Sequence, residues 1–186
     1  MGKAVETDEQ LMAQVAQGCR EPLGILLRRY ASPLLTFIQR MVGDRHRSEE
    51  LFQEVFLAVW TERRRYQYPR PFRAWLYGIA MNHCRNEFRR HRSFRLTPDD
   101  SLPLAVAAGA GGPAEAAVAT ETAAIVQAAI ARLPEQQRMV VALRVWNGLP
   151  YLEIANILER TESTVRSEMF HALASLRKFL EPRLRS

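Results

Sequence analysis

The stretch from Phe72 to Arg95, FRAWLYGIAMNHCRNEFRRHRSFR, constrains the fold more than any other part of the chain. Its first half carries apolar residues at helical spacing, which predicts that one face of a helix is buried. Its second half holds five arginines and a single acidic residue, Glu87. Because neither Gly nor Pro interrupts the stretch after Gly78, we expect one helix that is packed at one end and cationic at the other. Such a helix can bind a polyanion at its basic end while its apolar end packs within a folded domain.

The segment RRRYQYPRPFR, residues 63–73, interleaves aromatic and basic residues just before that helix. Bases stack on aromatic rings and phosphates pair with guanidinium groups, so this composition is typical of single-stranded nucleic-acid binding. Tyr66 and Trp75 are candidates either for stacking or for the core, and the core is favoured for Trp75 because it lies on the apolar line. A solvated cationic helix face above core aromatics is the alternative interpretation.

The distribution of charge divides the chain into three parts. Residues 1–95 carry 17 Lys and Arg against 10 Asp and Glu, residues 96–124 carry four acidic residues and no basic one, and residues 125–186 carry nine basic and six acidic residues. The segment 96–118 is rich in Pro, Gly and Ala, which is typical of a flexible linker. No segment has a convincing strand pattern. We therefore predict an all-α fold of two small helical domains, residues 1–95 and 119–186, joined by a flexible acidic linker.

The most apolar helix, EELFQEVFLAVW, follows Ser48, whose hydroxyl we expect to cap it. Its apolar side chains form a broad stripe, which predicts burial in a core. Glu50, Gln53 and Glu54 belong to an acidic shoulder beside that stripe. From the residues alone, this shoulder either meets a basic partner or faces solvent.

The end of the chain has the spacing of a helix-turn-helix. Ala155 supplies the small residue that two crossing helices need, and Thr161 or Ser163 caps the second helix. Glu159 stands where such turns usually carry Gly, and a non-Gly residue in a left-handed conformation costs about 1 kcal/mol. The second helix would present polar residues to the major groove: Glu162, Ser163, Thr164, Arg166, Ser167 and His171. A plain helical hairpin is the alternative interpretation.

Several classes of function are disfavoured by what the residues lack. The two cysteines, Cys19 and Cys84, are far apart and form no disulfide framework, and no apolar run has the length of a membrane span. The N-terminus has no signal-peptide core, so we expect a cytoplasmic protein without membrane insertion. His83, Cys84 and His91 have no paired cysteines at ligand spacing, and the nearby arginines repel cations, so we expect no metal or cofactor. No nucleophile–base pair or phosphate-binding Gly loop is visible, which argues against an enzyme.

Three segments together resemble those of a bacterial sigma factor of the extracytoplasmic-function (ECF) group, group IV of the sigma-70 family. RSEELFQEVFLAVW resembles sigma region 2.2, and FRAWLYGIAMNHCRNEFRRHR resembles regions 2.3 and 2.4. ARLPEQQRMVVALRVWNGLPYLEIANILERTESTVRSEMFHALASLRKFL resembles region 4. The three segments stand in the family's order and cover most of the chain outside the linker.

The resemblance implies a partner and a role for each segment. Core RNA polymerase would be bound through the clamp helices of its largest subunit, which contact Glu50, Gln53 and Glu54, and through its flap. The minus-10 promoter element would be recognised and melted by Tyr66, Asn82, Arg85, Asn86, Arg89 and Arg90. The minus-35 element would be read by Ser163, Thr164, Arg166, Ser167 and His171.

The same resemblance implies regulation. Members of this family usually serve stress or envelope responses and are held by an anti-sigma factor, which the flexible linker would permit. Glu168 stands where relatives often carry a basic residue, so the family does not predict the promoter preference. The alternative function is a stand-alone helix-turn-helix regulator of transcription, which would bind duplex DNA specifically without polymerase.

Overall fold

A computed structural model of the chain describes residues 6–94, 125–126 and 128–184, and within these ranges it contains helices and turns but no strand. The helices of the first domain are α1 (Asp8–Ala16), α2 (Glu21–Val42), α3 (Arg45–Thr61), a 3₁₀ turn (Arg63–Arg65) and α4 (Phe72–Phe94). After helical residues 128–131 come α5 (Glu135–Val141), a π-helical turn (Ala142–Trp146), α6 (Tyr151–Leu158) and α7 (Glu162–Leu184). The all-α prediction is confirmed, whereas the predicted linker, residues 96–118, lies outside the described residues. None of the helices in the described ranges combines the length and apolar character that crossing a bilayer requires.

Side-chain caps determine where the first and third helices begin. Thr7 and Gln10 form a reciprocal capping box at the start of α1. The prediction that Ser48 caps the third helix is wrong, because Asp44 has extended backbone angles and its carboxylate accepts a hydrogen bond from the Arg47 amide at 2.7 Å. The helix therefore starts one turn earlier, and the Ser48 hydroxyl donates to the Asp44 carbonyl inside that turn.

The first domain packs α1, α2 and α3 around the apolar half of α4. The rings of Phe37 on α2 and Tyr77 on α4 meet edge to face, with centroids 5.1 Å apart. The start of α4 is also held by α1, because the Phe72 amide donates to the Glu9 carboxylate at 3.2 Å. Because these contacts bury the apolar half of α4 in the core, they fix the direction in which its basic half extends from the first domain.

The second domain is built around the helix-turn-helix. Ile154 and Leu158 of α6 are buried against Val165 and Met169 of α7, as the spacing predicts. Glu159 lies in the turn between the two helices with φ 54° and ψ 47°, the left-handed conformation expected at this position. Before α6, the buried Asn147 side chain donates to the Ala142 carbonyl at 3.0 Å and so closes the π-helical turn.

The two domains touch through α4 and the segment around the π-helical turn. Arg73 of α4 donates a hydrogen bond to the backbone carbonyl of Asn147. The Arg40 guanidinium lies 4.8 Å from the ring centroid of Trp146, and Arg138 lies 4.9 Å from that of Phe88. Arg138 is half-buried, and this burial lowers the pKa of its guanidinium. The contact therefore rests in part on cations over aromatic rings, a weaker arrangement than an apolar core.

Candidate nucleic-acid interfaces

One face of the basic half of α4 is exposed. Asn82, Asn86 and Arg89 recur at intervals of four and three residues, so they lie along one side of the helix. These three side chains and Arg90 are exposed, and Arg85 is half-buried. Two amides and three guanidinium groups on one helix offer base-edge hydrogen bonding together with phosphate neutralisation. The structure brings together on α4 five of the six residues predicted for the minus-10 element and leaves Tyr66 apart from them.

Tyr66 lies in the core. Only 6% of the residue is exposed, its ring packs edge to face on Trp75 with centroids 5.4 Å apart, and its hydroxyl donates to the Arg70 carbonyl. Burial raises the pKa of Tyr66 to about 12. Its ring is therefore unavailable for stacking on a base unless it leaves the core. The neighbouring Tyr68 is 59% exposed and is the aromatic side chain of this loop that a base could reach.

The signal for Tyr68 was present in the sequence but was ambiguous. Tyr66 and Tyr68 both stand among arginines, and nothing in local spacing separates them. Only the packing of Tyr66 against Phe72 and Trp75 does so, with ring centroids 6.3 Å and 5.4 Å away.

The exposed face of α7 contains the residues that were predicted to read the minus-35 element. Thr161 caps this helix, since its hydroxyl accepts from the Thr164 amide at 3.2 Å. Val165, Met169 and Ala172 are buried, which turns the opposite side of α7 outward. The exposed side carries all five predicted residues: Ser163, Thr164, Arg166, Ser167 and His171. A helix with short polar side chains and one arginine near its N-terminus has the form of a recognition helix.

The acidic shoulder of α3 is partly engaged within the chain. Glu50 and Gln53 are exposed and Glu54 is half-buried. Glu54 is 3.0 Å from Nη1 of Arg47 and 3.1 Å from Nδ1 of His83. These short distances make Glu54 an ordered carboxylate and not a freely moving one.

Sequence reasoning missed Leu57, which lies one turn beyond Glu54 on the same side of α3. It is 63% exposed although it belongs to the most apolar helix of the chain. Leu51, Val55 and Val59 carry the buried line of that helix, so Leu57 falls outside it. A single exposed leucine is ordinary on a protein surface. Leu57 is of interest only because it lies beside Glu50, Gln53 and Glu54 on the same side of α3.

The described ranges contain no group of three or more His, Cys, Asp or Glu side chains placed to hold a metal ion. His83 is paired with Glu54, and Cys84 is fully buried in the core. The thiol pKa of Cys84 is raised to about 12 by its burial.

Comparison with known proteins finds both halves of the chain in one family. Residues 26–94 match the family model Sigma-70 region 2, and residues 123–176 match Sigma-70, region 4. The RNA polymerase sigma-H factor of Pseudomonas aeruginosa is 30% identical, over 97% of each chain. The ECF RNA polymerase sigma-E factor of Escherichia coli K12 is 29% identical, over 96% of this chain and 97% of the relative.

Solved structures show the same fold. CnrH in complex with the cytosolic domain of CnrY aligns with a TM-score of 0.73 at 23% identity, over 95% of this chain and 99% of CnrH. The sigma factor RpoE, in complex with the anti-sigma factor NepR from Bartonella quintana, aligns with a TM-score of 0.71 at 18% identity, over 85% and 96% of the two chains. The full-length match at 30% identity, the two region matches in order and the helix-turn-helix at the end lead to one assignment. The chain belongs to the ECF sigma factors, members of the sigma-70 family that direct RNA polymerase to promoters.

Proposed function

We propose that three surfaces of this sigma factor divide the work of promoter recognition. The polymerase-binding face lies on α3 and consists of Glu50, Gln53, Glu54 and Leu57. The minus-10 face lies on α4 and consists of Asn82, Arg85, Asn86, Arg89 and Arg90. The minus-35 face lies on α7 and consists of Ser163, Thr164, Arg166, Ser167 and His171. The observation that carries the proposal is that each set, drawn from one helix, is largely exposed on one side of it while the opposite side is buried.

The minus-10 face would recognise and open the downstream promoter element. Arg89 and Arg90 neutralise phosphates, and the amides of Asn82 and Asn86 hydrogen-bond to a base turned out of the stack. Extruding a base costs a few kcal/mol, which these contacts must offset. Tyr66 is left out of this face because its ring is buried, and the exposed Tyr68 takes its place as the candidate for stacking.

The minus-35 face would read duplex DNA in the major groove. A bidentate arginine–guanine pair contributes about 1–3 kcal/mol of discrimination, and short hydroxyl side chains contact bases or phosphates. Arg166 is the residue of this face whose side chain can donate two parallel N–H hydrogen bonds to one base. We therefore expect it to contribute most of the base discrimination.

Polymerase would convert two weak DNA contacts into one specific complex. Clamp helices bind the α3 face, the flap holds the second domain, and the second DNA contact then forms at a raised effective concentration. The domain boundaries at residues 95–96 and 118–119 remain part of this proposal and are supported by the gap between the two family matches. Because polymerase and promoter DNA are cytoplasmic, the protein acts in the cytoplasm.

An anti-sigma factor would inhibit this protein by stabilising contact between the two domains. Support comes from the contacts around Arg73, Trp146 and Phe88, which already join the domains in the free chain. An inhibitor that bridges both domains would lock this arrangement, and a stress or envelope signal would release it.

Run-off transcription with purified core polymerase, this protein and a promoter library tests the proposal. We expect the wild-type protein to direct specific initiation, and we expect Asn82→Ala and Arg166→Ala to reduce it. Asn156→Ala should leave initiation unchanged. Asn156 is an exposed residue of α6 that belongs to none of the three faces. Sequence-specific binding to duplex DNA without polymerase, together with no initiation, would instead favour a stand-alone regulator.

A further inference from the structure

Arg47 lies in the first turn of α3 and is surrounded by three carboxylates. Its Nη1 is 2.7 Å from Glu50 and 3.0 Å from Glu54, and its Nη2 is 2.8 Å from Glu87 on α4. Glu87, and after it Glu50, raise the pKa of the guanidinium above its ordinary value. The arginine side chain is only 21% exposed, so this group of charges is partly shielded from solvent.

The cluster joins two helices with different tasks. Glu50 and Glu54 belong to the polymerase-binding face, whereas Glu87 stands next to Asn86 of the minus-10 face. A second bridge runs in parallel, because His83 of α4 is 3.1 Å from the other oxygen of Glu54. The side chain of Glu87 is 8% exposed, so a cationic partner is important to its burial.

An arginine suits this position better than a lysine. A guanidinium group presents five donors in a planar fork and can serve several carboxylates at once, while a lysine is a single point of charge. Without Arg47, the three carboxylates would lose a cation that contacts all of them, and their mutual repulsion would increase. Arg47 therefore holds the carboxylates of two surfaces in one arrangement.

Glu87 also connects the cluster to DNA binding. Nη1 of Arg90, a residue of the minus-10 face, lies 3.8 Å from the same Glu87 oxygen that Arg47 approaches. Arg47 and Arg90 thus share one carboxylate. If Nη1 of Arg47 leaves Glu50 and Glu54 and joins Nη2 on Glu87, it neutralises more of that carboxylate. The attraction of Glu87 for Arg90 is then reduced, and Arg90 becomes more available to a phosphate.

We propose that Arg47 is a positioning residue that couples the polymerase-binding face to the minus-10 face. Basic groups of polymerase that pair with Glu50 and Glu54 take over these carboxylates, and Nη1 of Arg47 then joins Nη2 on Glu87. This shift releases Arg90 toward DNA, so docking prepares the minus-10 face. The inference rests on the function proposed above.

A double-mutant cycle measures the coupling directly. The dissociation constant for core polymerase is determined for the wild-type protein, Glu54→Gln, Glu87→Gln and the double variant, and the same four proteins are then made with Arg47→Met. If Arg47 carries the coupling, the double variant departs from the product of the two single effects by about threefold or more, the range found for residues that share a partner. In the chains that carry Arg47→Met, we expect the double variant to change the dissociation constant by the product of the two single effects.

Two further variants keep the result interpretable. Arg45→Met is the matched control, since Arg45 is an arginine of the same helical turn whose side chain is 84% exposed and pairs with Glu49 at 3.1 Å. It should leave the coupling at its wild-type size. If Arg47→Met does not fold by circular dichroism, Arg47→Lys replaces it, and the departure should shrink because one ammonium cannot bridge three carboxylates.

Multiplicative effects in the wild-type background would overturn the proposal, as would a departure that persists without Arg47. A wild-type protein that does not bind core polymerase would instead overturn the proposed function, so the two failures are distinguishable.

Discussion

The guanidinium of Arg166 lies 4.6 Å from the ring centroid of Tyr151, across the helix-turn-helix from the start of α6. The same side chain pairs with Glu162 at 2.6 Å, one turn earlier on α7. Arg166 is therefore held on the protein surface by a ring and a carboxylate before any DNA is present. To read a base it must exchange Glu162 for the base edge, while the Tyr151 ring can remain beneath it.

Arg166→Ala should relax sequence preference in the upstream promoter element. Loss of one bidentate base contact costs about 1–3 kcal/mol, or about 5- to 150-fold in discrimination at one position. Initiation rates on promoters with single substitutions across the minus-35 element would measure this. Arg177→Ala is the control, because Arg177 is an exposed arginine farther along α7 and outside the minus-35 face. An equal loss on every promoter would indicate a phosphate contact and contradict base readout.

Asn82→Ala should slow promoter opening and leave binding of polymerase unchanged. The amide is exposed, so its loss removes a contact to an extruded base without disturbing the core. The rate of open-complex formation, followed by a fluorescent base in the minus-10 element, should fall about tenfold or more. Asn156→Ala provides the matched asparagine control. Unchanged opening of a duplex promoter would remove Asn82 from the minus-10 face.

Leu57→Ser should weaken binding to core polymerase. The leucine is 63% exposed in the free protein, so its replacement has little effect on folding, whereas burying it against a partner contributes about 1–2 kcal/mol. A rise in the dissociation constant of about 5- to 30-fold is expected by titration of labelled protein with core polymerase. Leu173→Ser, at a leucine that is 52% exposed on α7, tests whether any exposed leucine has this effect. Equal losses for both variants would contradict a specific role for Leu57.

Glu159→Gly should stabilise the second domain. Glu159 is left-handed, with φ 54°, and a side chain in this conformation costs about 1 kcal/mol that glycine avoids. Glycine also gains freedom in the unfolded chain, so the net rise in the free energy of unfolding stays at or below about 1 kcal/mol. Urea unfolding would measure it. Arg160→Gly, next in the chain but without positive φ, should destabilise; the same sign for both variants would contradict the conformational explanation.

The two thiols should differ sharply in reactivity. Burial raises the pKa of Cys84 to about 12, so at pH 8 it is almost wholly protonated and shielded from reagents, whereas Cys19 is exposed. Titration with a chromogenic disulfide at pH 8 should release one equivalent rapidly and the second only in denaturant. Raising the pH toward 9 should leave Cys84 silent, because a pKa of about 12 keeps its thiol protonated. Two fast equivalents in the native protein would contradict the burial of Cys84.

Local patterns predicted much of the helical architecture because they record local physics. Thr7 has the side chain that completes a capping box, and the buried line of Leu51, Val55 and Val59 follows the helical period. Ser48 shows the limit, because both Ser48 and Asp44 are good caps and the backbone conformation of Asp44 decided between them. A choice between two suitable residues depends on angles that composition does not contain.

The helices, the sigma-family segments and the outward faces of α4 and α7 can be predicted from the chain alone, since each depends on residues within a few turns of one another. The same patterns could not predict that Tyr66 is buried, that Leu57 is exposed or that Arg47 reaches Glu87, 40 positions away on another helix. These outcomes depend on which helices meet and at which residues. Packing between distant segments sets the burial and pairing of side chains, and spacing along the chain carries no record of it.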